Sequence, residues 1–320
     1  MSAPYPSRLQ TFPISWFAMV MGLSGFTLAW HRAEVVFALP AVTSAGLLLL
    51  TIAVFVTLLT CYGLKLLRFP ALVKAELAHP VKLNFFPALS IALILLGTAL
   101  LPYDAYISLA CWSVGATLHL GFTLFVLSNW MHQTHFEITH ISPAWFIPVV
   151  GNILVPIAGV QHASAEVSWF FFSIGLVFWL VLLTIIFYRM FFHHPLPTRL
   201  LPTLFILIAP PAVGFVSWLQ LTGEVNAFAR ILYYSALFLT LLLLTQAGRF
   251  LKLPFFLSWW AYSFPMAAVT IATLLMYQQL QLGFFKWLGA GLLGLLTLII
   301  LTLLVKTLIA VIRRDSAVED

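Results

Sequence analysis

The side chains equipped for acid–base or ligand chemistry are few, and most lie between long apolar stretches. His132, His135, Glu137 and His140 form the densest group. Two histidines three residues apart, with a third five further on, can close around a zinc ion. The group falls where a chain turns and polar residues collect anyway, and no second ligand set accompanies it, so no metal site is expected. His193-His194 beside Pro195 reads the same way. His119 alone lies deep in an apolar stretch, where an ionisable residue is by default a functional hypothesis. It has no carboxylate or second histidine at matching depth, and it is expected to be a hydrogen-bonded packing residue, not a proton relay or haem ligand. Cys61 and Cys111 sit inside apolar runs and read as small packing residues. No Ser–His–acid or Glu-x-x-His set supports a hydrolase, so the expectation is no enzyme and no cofactor.

The elements that must position these residues follow from composition. Of 320 residues, 62% are hydrophobic and 8% charged, against roughly 45–50% and 25% in an ordinary soluble domain. Fifteen Lys+Arg and nine Asp+Glu cannot coat a water-facing surface of this size. A spanning helix needs ~20 apolar residues. Apolar windows fall at residues 12–30, 41–67, 83–101, 105–130, 143–160, 167–192, 200–219, 227–248, 256–280 and 284–312. Runs such as Leu47 to Leu50 do not alternate, which argues against a barrel. The predicted fold is an all-α membrane protein of ten spans in one integral domain, residues 1–320, with no removable signal peptide. Lys and Arg, Lys65 among them, concentrate at one set of span ends, twelve against three. That bias predicts both termini in the cytoplasm. The net charge of +6 is read as this bias and not as a nucleic-acid signal.

Prolines divide the ten windows into two kinds. Pro13, Pro80, Pro87, Pro143, Pro148, Pro156, Pro202, Pro210, Pro211, Pro254 and Pro265 all fall in or at the start of odd-numbered spans. The chain therefore reads as five helical hairpins. An interior proline kinks a helix, and a broken backbone is tolerated at membrane depth only against protein or a water-filled cavity. The kinked helices, with Pro87, Pro148, Pro210 and Pro265 lining a pore, are expected to form an inner ring, and the smooth ones an outer ring facing lipid. Gly22, Gly25, Gly97, Gly151 and Gly214 lie in the inner set, where small residues permit close approach.

Residues 12–22, Phe-Pro-Ile-Ser-Trp-Phe-Ala-Met-Val-Met-Gly, the kinked odd spans and Tyr262-Ser263-Phe264-Pro265 together resemble the tellurite-resistance/dicarboxylate transporter family. That family includes prokaryotic relatives of the slow anion channel of plant guard cells. The resemblance implies a homotrimer in a bacterial inner membrane, each protomer with its own pore enclosed by five inner helices. It also implies that a phenylalanine of the ninth span plugs the pore, and Phe264 occupies the matching position. The phosphorylation control of the plant proteins is not expected here.

The expected partners are inorganic or small organic anions and membrane lipid. No Lys, Arg, Asp or Glu lies deep in an odd span, which suits passive anion flow better than a proton-coupled pump. The alternative is a secondary transporter exporting tellurite, sulfite or a C4-dicarboxylate. It would need specific donors, and Asn84, Asn152, Ser15, Ser263 and Gln246 are the available groups.

Overall fold

The computed structural model describes residues 7–133 and 136–313. His135, Arg314 and the terminal Asp320 lie outside the described residues. Among the described residues every regular element is helical. The α-helices are α1 (Phe17–Phe37), α2 (Val42–Arg68), α3 (Pro70–Ala78), α4 (Pro87–Leu100), α5 (Ala105–His132), α6 (Phe146–Val150), α7 (Pro156–His162), α8 (Ala165–Phe192), α9 (Ala209–Thr222), α10 (Ala227–Leu244), α11 (Ala247–Phe250), α12 (Ser263–Leu280) and α13 (Gly283–Arg313).

Each proline-bearing segment begins as 3-10 helix and continues as α-helix. The 3-10 stretches are Ile14–Trp16 before α1, Lys82–Phe85 before α4, Thr198–Ile208 before α9 and Leu257–Tyr262 before α12. The fifth segment breaks twice, with Pro143–Trp145 leading into α6 and Gly151–Leu154 into α7. Pro87, Pro148, Pro210 and Pro265 all stand within the first three residues of an α-helix. There the 3-10 stretch passes into α-helix without a break in handedness: Phe86, Trp145, Ile208 and Tyr262 are already right-handed helical, and the amides of Phe86, Phe146, Ala209 and Ser263 bond back to 3-10 carbonyls. The prolines thus stand where the helix type changes within each segment.

Nine helical segments among the described residues are long and apolar enough to cross a membrane. α1 is not one of them, because His31, Arg32 and Glu34 occupy its last turns. Proline-bearing members of the nine have 72–89% of their most apolar stretch buried, against 28–39% for the proline-free ones. α1 packs on α4 and α12, α4 on α6 and α7, α7 on α9, and α9 on α12. The proline-free α2, α5, α8, α10 and α13 each pack against the proline-bearing helix next to them in the chain.

Two buried charged residues join neighbouring helices. Glu34 is buried in α1 and accepts from the amide (2.9 Å) and hydroxyl of Ser44. It so caps the first turn of α2, whose own N-cap Ala41 has no side chain to do so. Lys65, in the last turn of α2, is 1% exposed. Its Nζ pairs with Glu76 of α3 and donates to the Phe12 carbonyl (2.7 Å), while the Tyr62 hydroxyl donates to the other Glu76 oxygen (2.7 Å). This cluster ties the short helix α3, absent from the sequence reading, to α2 and to the start of the chain's first segment. Asp104 is a conventional N-cap, accepting from the amides of Tyr106 and Ile107 (both 2.9 Å) at the start of α5.

Candidate conduction site

A cavity of about 40 Å³ lies where all five proline-bearing segments meet. Its wall is Met21 of α1, Ile91 of α4, Phe146, Ile147, Val150, Gly151, Ile153 and Leu154 of the doubly broken fifth segment, Ile206, Ala209, Pro210 and Val213 around the start of α9, and Phe264 of α12. Every one of these side chains is apolar. The space holds no more than a few water molecules and offers them no side-chain hydrogen-bond partner.

Phe264 is the second residue of α12 and is partly exposed to the cavity. Its position is fixed by the close approach of α1. A Cβ on Gly25 would come within 3.1 Å of the ring's Cδ2 and 2.9 Å of the Ala267 Cβ. One turn earlier, a Cβ on Gly22 would coincide with the Ser263 hydroxyl, 2.0 Å away. The two glycines let α1 lie flush on the first turn of α12 and leave the Phe264 ring the space it fills.

The fifth segment owes its shape to side chains that serve its backbone. The Thr123 hydroxyl of α5 lies 2.7 Å from the Pro148 carbonyl and 2.8 Å from that of His119, which share its one proton; Asn152 donates to the Val149 carbonyl (2.7 Å) and to Thr123 (2.8 Å), Ser217 of α9 to that of Ile153 (2.5 Å), and the Trp112 indole of α5 to that of Val155 (2.9 Å). A broken helix in a medium without water needs such partners, since an unmet buried carbonyl costs several kcal/mol. Helix α5 therefore helps hold the fifth segment in its broken form.

His119 belongs to the same layer. It is fully buried on α5, and its Nδ1 lies 2.9 Å from the Ser90 hydroxyl. The Ser90 hydroxyl also lies 2.8 Å from the Pro87 carbonyl, and the other ring nitrogen, Nε2, is buried without a hydrogen-bond partner. A Cβ at Gly151 would stand 2.6 Å from that Nε2, so the cavity-lining residue 151 has to be glycine for the imidazole to sit behind it.

The other predicted residues scatter. Of the four singled-out prolines only Pro210 lines the cavity; Pro87, Pro148 and Pro265 are buried behind it. Gly97 lets α4 meet the backbone of Trp112, and Gly214 faces Ile153 and Leu232. None of Asn84, Asn152, Ser15, Ser263 and Gln246 lines the cavity. Asn84, Asn152, Ser263 and Gln246 donate to nearby carbonyls. Among the described residues no three His, Cys, Asp or Glu gather as a metal site. The lining residues missed from sequence, Met21, Ile91, Ile147 and Ile206 among them, carry no signal beyond being apolar.

The chain is similar to known proteins over most of its length. Over 320 residues the chain is 29% identical to the S-type anion channel SLAH3 of Arabidopsis thaliana, covering 98% of this chain but only half of the plant protein. It is 29% identical to an uncharacterized transporter of Methanocaldococcus jannaschii, covering 94% of this chain and 95% of that one. With the tellurite resistance protein TehA homolog of Haemophilus influenzae the identity is 23%, over 83% of this chain and 80% of the other. Residues 11–308 match the voltage-dependent anion channel family, SLAC1, and the chain belongs to that family.

Proposed function

We propose that this protein is an anion channel whose conduction path runs through the central cavity and is closed by the Phe264 ring. The observation that carries the reading is the wall itself: five broken segments surround a space with no charged or polar side chain. An ion crossing there is attracted only by backbone dipoles. The helical segments that contain α4, α9 and α12 begin at Lys82, Thr198 and Leu257, ahead of the cavity-lining Ile91, Ile206 and Phe264. Their electropositive N-terminal ends favour anions without a fixed charge. Weak, uncharged coordination also lets an ion leave as readily as it arrives. Permeability should then follow dehydration cost, with large monovalent anions passing best. A carrier of tellurite, sulfite or a dicarboxylate would need convergent donors in the path, and the cavity wall supplies none.

In this reading α1 is a tenth span, the proline-bearing segments form the inner ring, and the proline-free helices face lipid. Both termini lie in the cytoplasm, and the assembly is a homotrimer with one path per protomer, as the family resemblance implies. The test is the reversal potential of reconstituted protein under a tenfold KCl gradient. Anion conduction places it near the chloride limit of about 59 mV; a value of the same size and opposite sign, tracking potassium, refutes the proposal.

A further inference from the structure

The proline-free helices α2 and α13 both pack on α1, and a groove of about 850 Å³ lies between them on the outside of the bundle. Its α2 wall runs from Leu50 to Cys61 and its α13 wall from Leu304 to Val311. Phe12 and Trp16 of the first segment, stacked with ring centroids 5.6 Å apart, also line it. At 1.5 Å per residue the α2 wall is about 16 Å long. That is close to half of a hydrocarbon core ~30 Å thick, so the groove has the depth of one leaflet.

The two ends of the groove differ. At one end Arg8 of the first segment meets Val311 of α13, and Phe12 meets Lys65 of α2. This is the end where both helices finish, near Arg68 and Arg313. Among the described residues of the wall Arg8 is the one with a charge. Its Nη2 donates to the Val311 carbonyl (3.2 Å), which holds the guanidinium at the mouth and uses one of its five N–H donors. The rest of the wall is nearly all apolar. Its two threonines have partners of their own: Thr57 donates to the Ala53 carbonyl (2.8 Å), and Thr307 accepts from the Trp260 indole (3.0 Å).

We infer that this groove is a binding site for an anionic glycerophospholipid, with an acyl chain along α2 and α13 and the phosphate on Arg8. A guanidinium fork matches two oxygens of one phosphate. No carboxylate in the wall waits for the ammonium of a zwitterionic headgroup, so a headgroup with net negative charge fits best. A helix of a neighbouring protomer would bury the guanidinium, which is costly without a carboxylate to meet it; a phospholipid brings its anion with it. The proposed topology, with both termini in the cytoplasm, makes this the cytoplasmic leaflet. The leaflet rests on that reading, and the binding does not.

The test uses the full chain, purified in mild detergent, stripped of lipid and titrated with dioleoyl phosphatidylglycerol or dioleoyl phosphatidylethanolamine. Native mass spectrometry counts the lipids bound to each protomer. One phosphatidylglycerol should be retained at concentrations where phosphatidylethanolamine is not. Arg8→Gln, at an exposed position, should weaken phosphatidylglycerol about fivefold and leave phosphatidylethanolamine unchanged. Ala53→Trp puts a large ring into the groove from an exposed position of α2 and should weaken both lipids tenfold or more. Val305→Trp does the same from α13 if Ala53→Trp folds poorly. Phosphatidylglycerol binding that neither Arg8→Gln nor the groove-filling variants change overturns the inference. Equal binding of the two lipids by the parent overturns the headgroup assignment. Loss of the oligomer in Ala53→Trp with lipid binding unchanged overturns it in favour of a contact between protomers. Lipid retained as expected by a protein that passes no anion current leaves the site standing and removes the channel reading.

Discussion

Replacing Phe264 with alanine should turn a closed path into an open one, and the size of the effect follows from the cavity. A space of about 40 Å³ bounded by apolar side chains cannot hold an anion together with its first hydration shell. The idealised cost of moving such an ion from water to a low-dielectric interior is of order 20 kcal/mol, and several kcal/mol remain after relaxation. Removing the ring lets the ion keep part of its water. If about 3–4 kcal/mol of that cost is relieved, conductance rises by roughly two to three orders of magnitude, since each 1.36 kcal/mol is tenfold. Phe264→Leu retains a branched apolar side chain at the same place and should raise conductance much less, by about tenfold. Planar-bilayer currents from purified, reconstituted variants measure both. Truncating a fully buried Phe costs about 3–5 kcal/mol; Phe264 is only partly buried, so the variant should stay folded, as size-exclusion profile and thermal melting will report. A folded Phe264→Ala protein conducting no better than wild type would refute the gate.

Other outcomes test the scaffold. Gly151→Ala drives a Cβ to 2.6 Å from the His119 Nε2 and 2.8 Å from the Ile91 Cδ1. With the imidazole held on Ser90, this overpacking should cost about 1–3 kcal/mol, read as a lower melting temperature in detergent and partly restored by His119→Ala. Lys65→Met leaves Glu76 buried and unpaired and should cost about 3–5 kcal/mol, whereas Lys65→Met/Glu76→Gln should recover most of it; a double variant as unstable as the single would show that the pair is not the source of the loss. Asp104→Ala removes the cap of α5 and should cost about 1 kcal/mol, an effect too small to alter expression.

The division into broken and smooth helices was legible because lipid leaves an interior proline few places to stand. The form of the breaks was not. Pro148 is the third residue of a five-residue helix because Thr123, twenty-five residues away, meets its carbonyl, and no local pattern announces that partner. The burial of Lys65 and Glu34 was not legible for a related reason: each has a buried partner on a neighbouring helix. The helix α3, nine residues with Lys74 and Glu76 among them, falls below any threshold for a span. Phe264 was distinguished from 28 other phenylalanines by resemblance, since packing and plugging demand the same apolar ring.

These observations bear on what can move when the path opens. The carbonyls of Pro148, Ile153 and Val155 are bonded to side chains on α5 and α9, and Pro87 and Pro148 carbonyls both connect to the layer containing His119 and Thr123. Straightening the fifth segment would break several of these bonds at once in a medium that offers no replacement. The glycines of α1 likewise fix the first turn of α12 at contact distance. The ring of Phe264 is different: it borders open space on one side and is held by no hydrogen bond. A change of its χ1 or χ2 angle disturbs none of the bonds that hold the fifth segment broken. The proposed gate therefore asks for no rearrangement of that segment, and it predicts that Phe264→Ala opens the path while the bonds at Thr123, Ser217 and Trp112 stay intact. Protection of the fifth segment's amides from hydrogen exchange should accordingly be the same in Phe264→Ala as in the wild type. Loss of that protection would mean that the broken segment itself moves and that the ring only follows it.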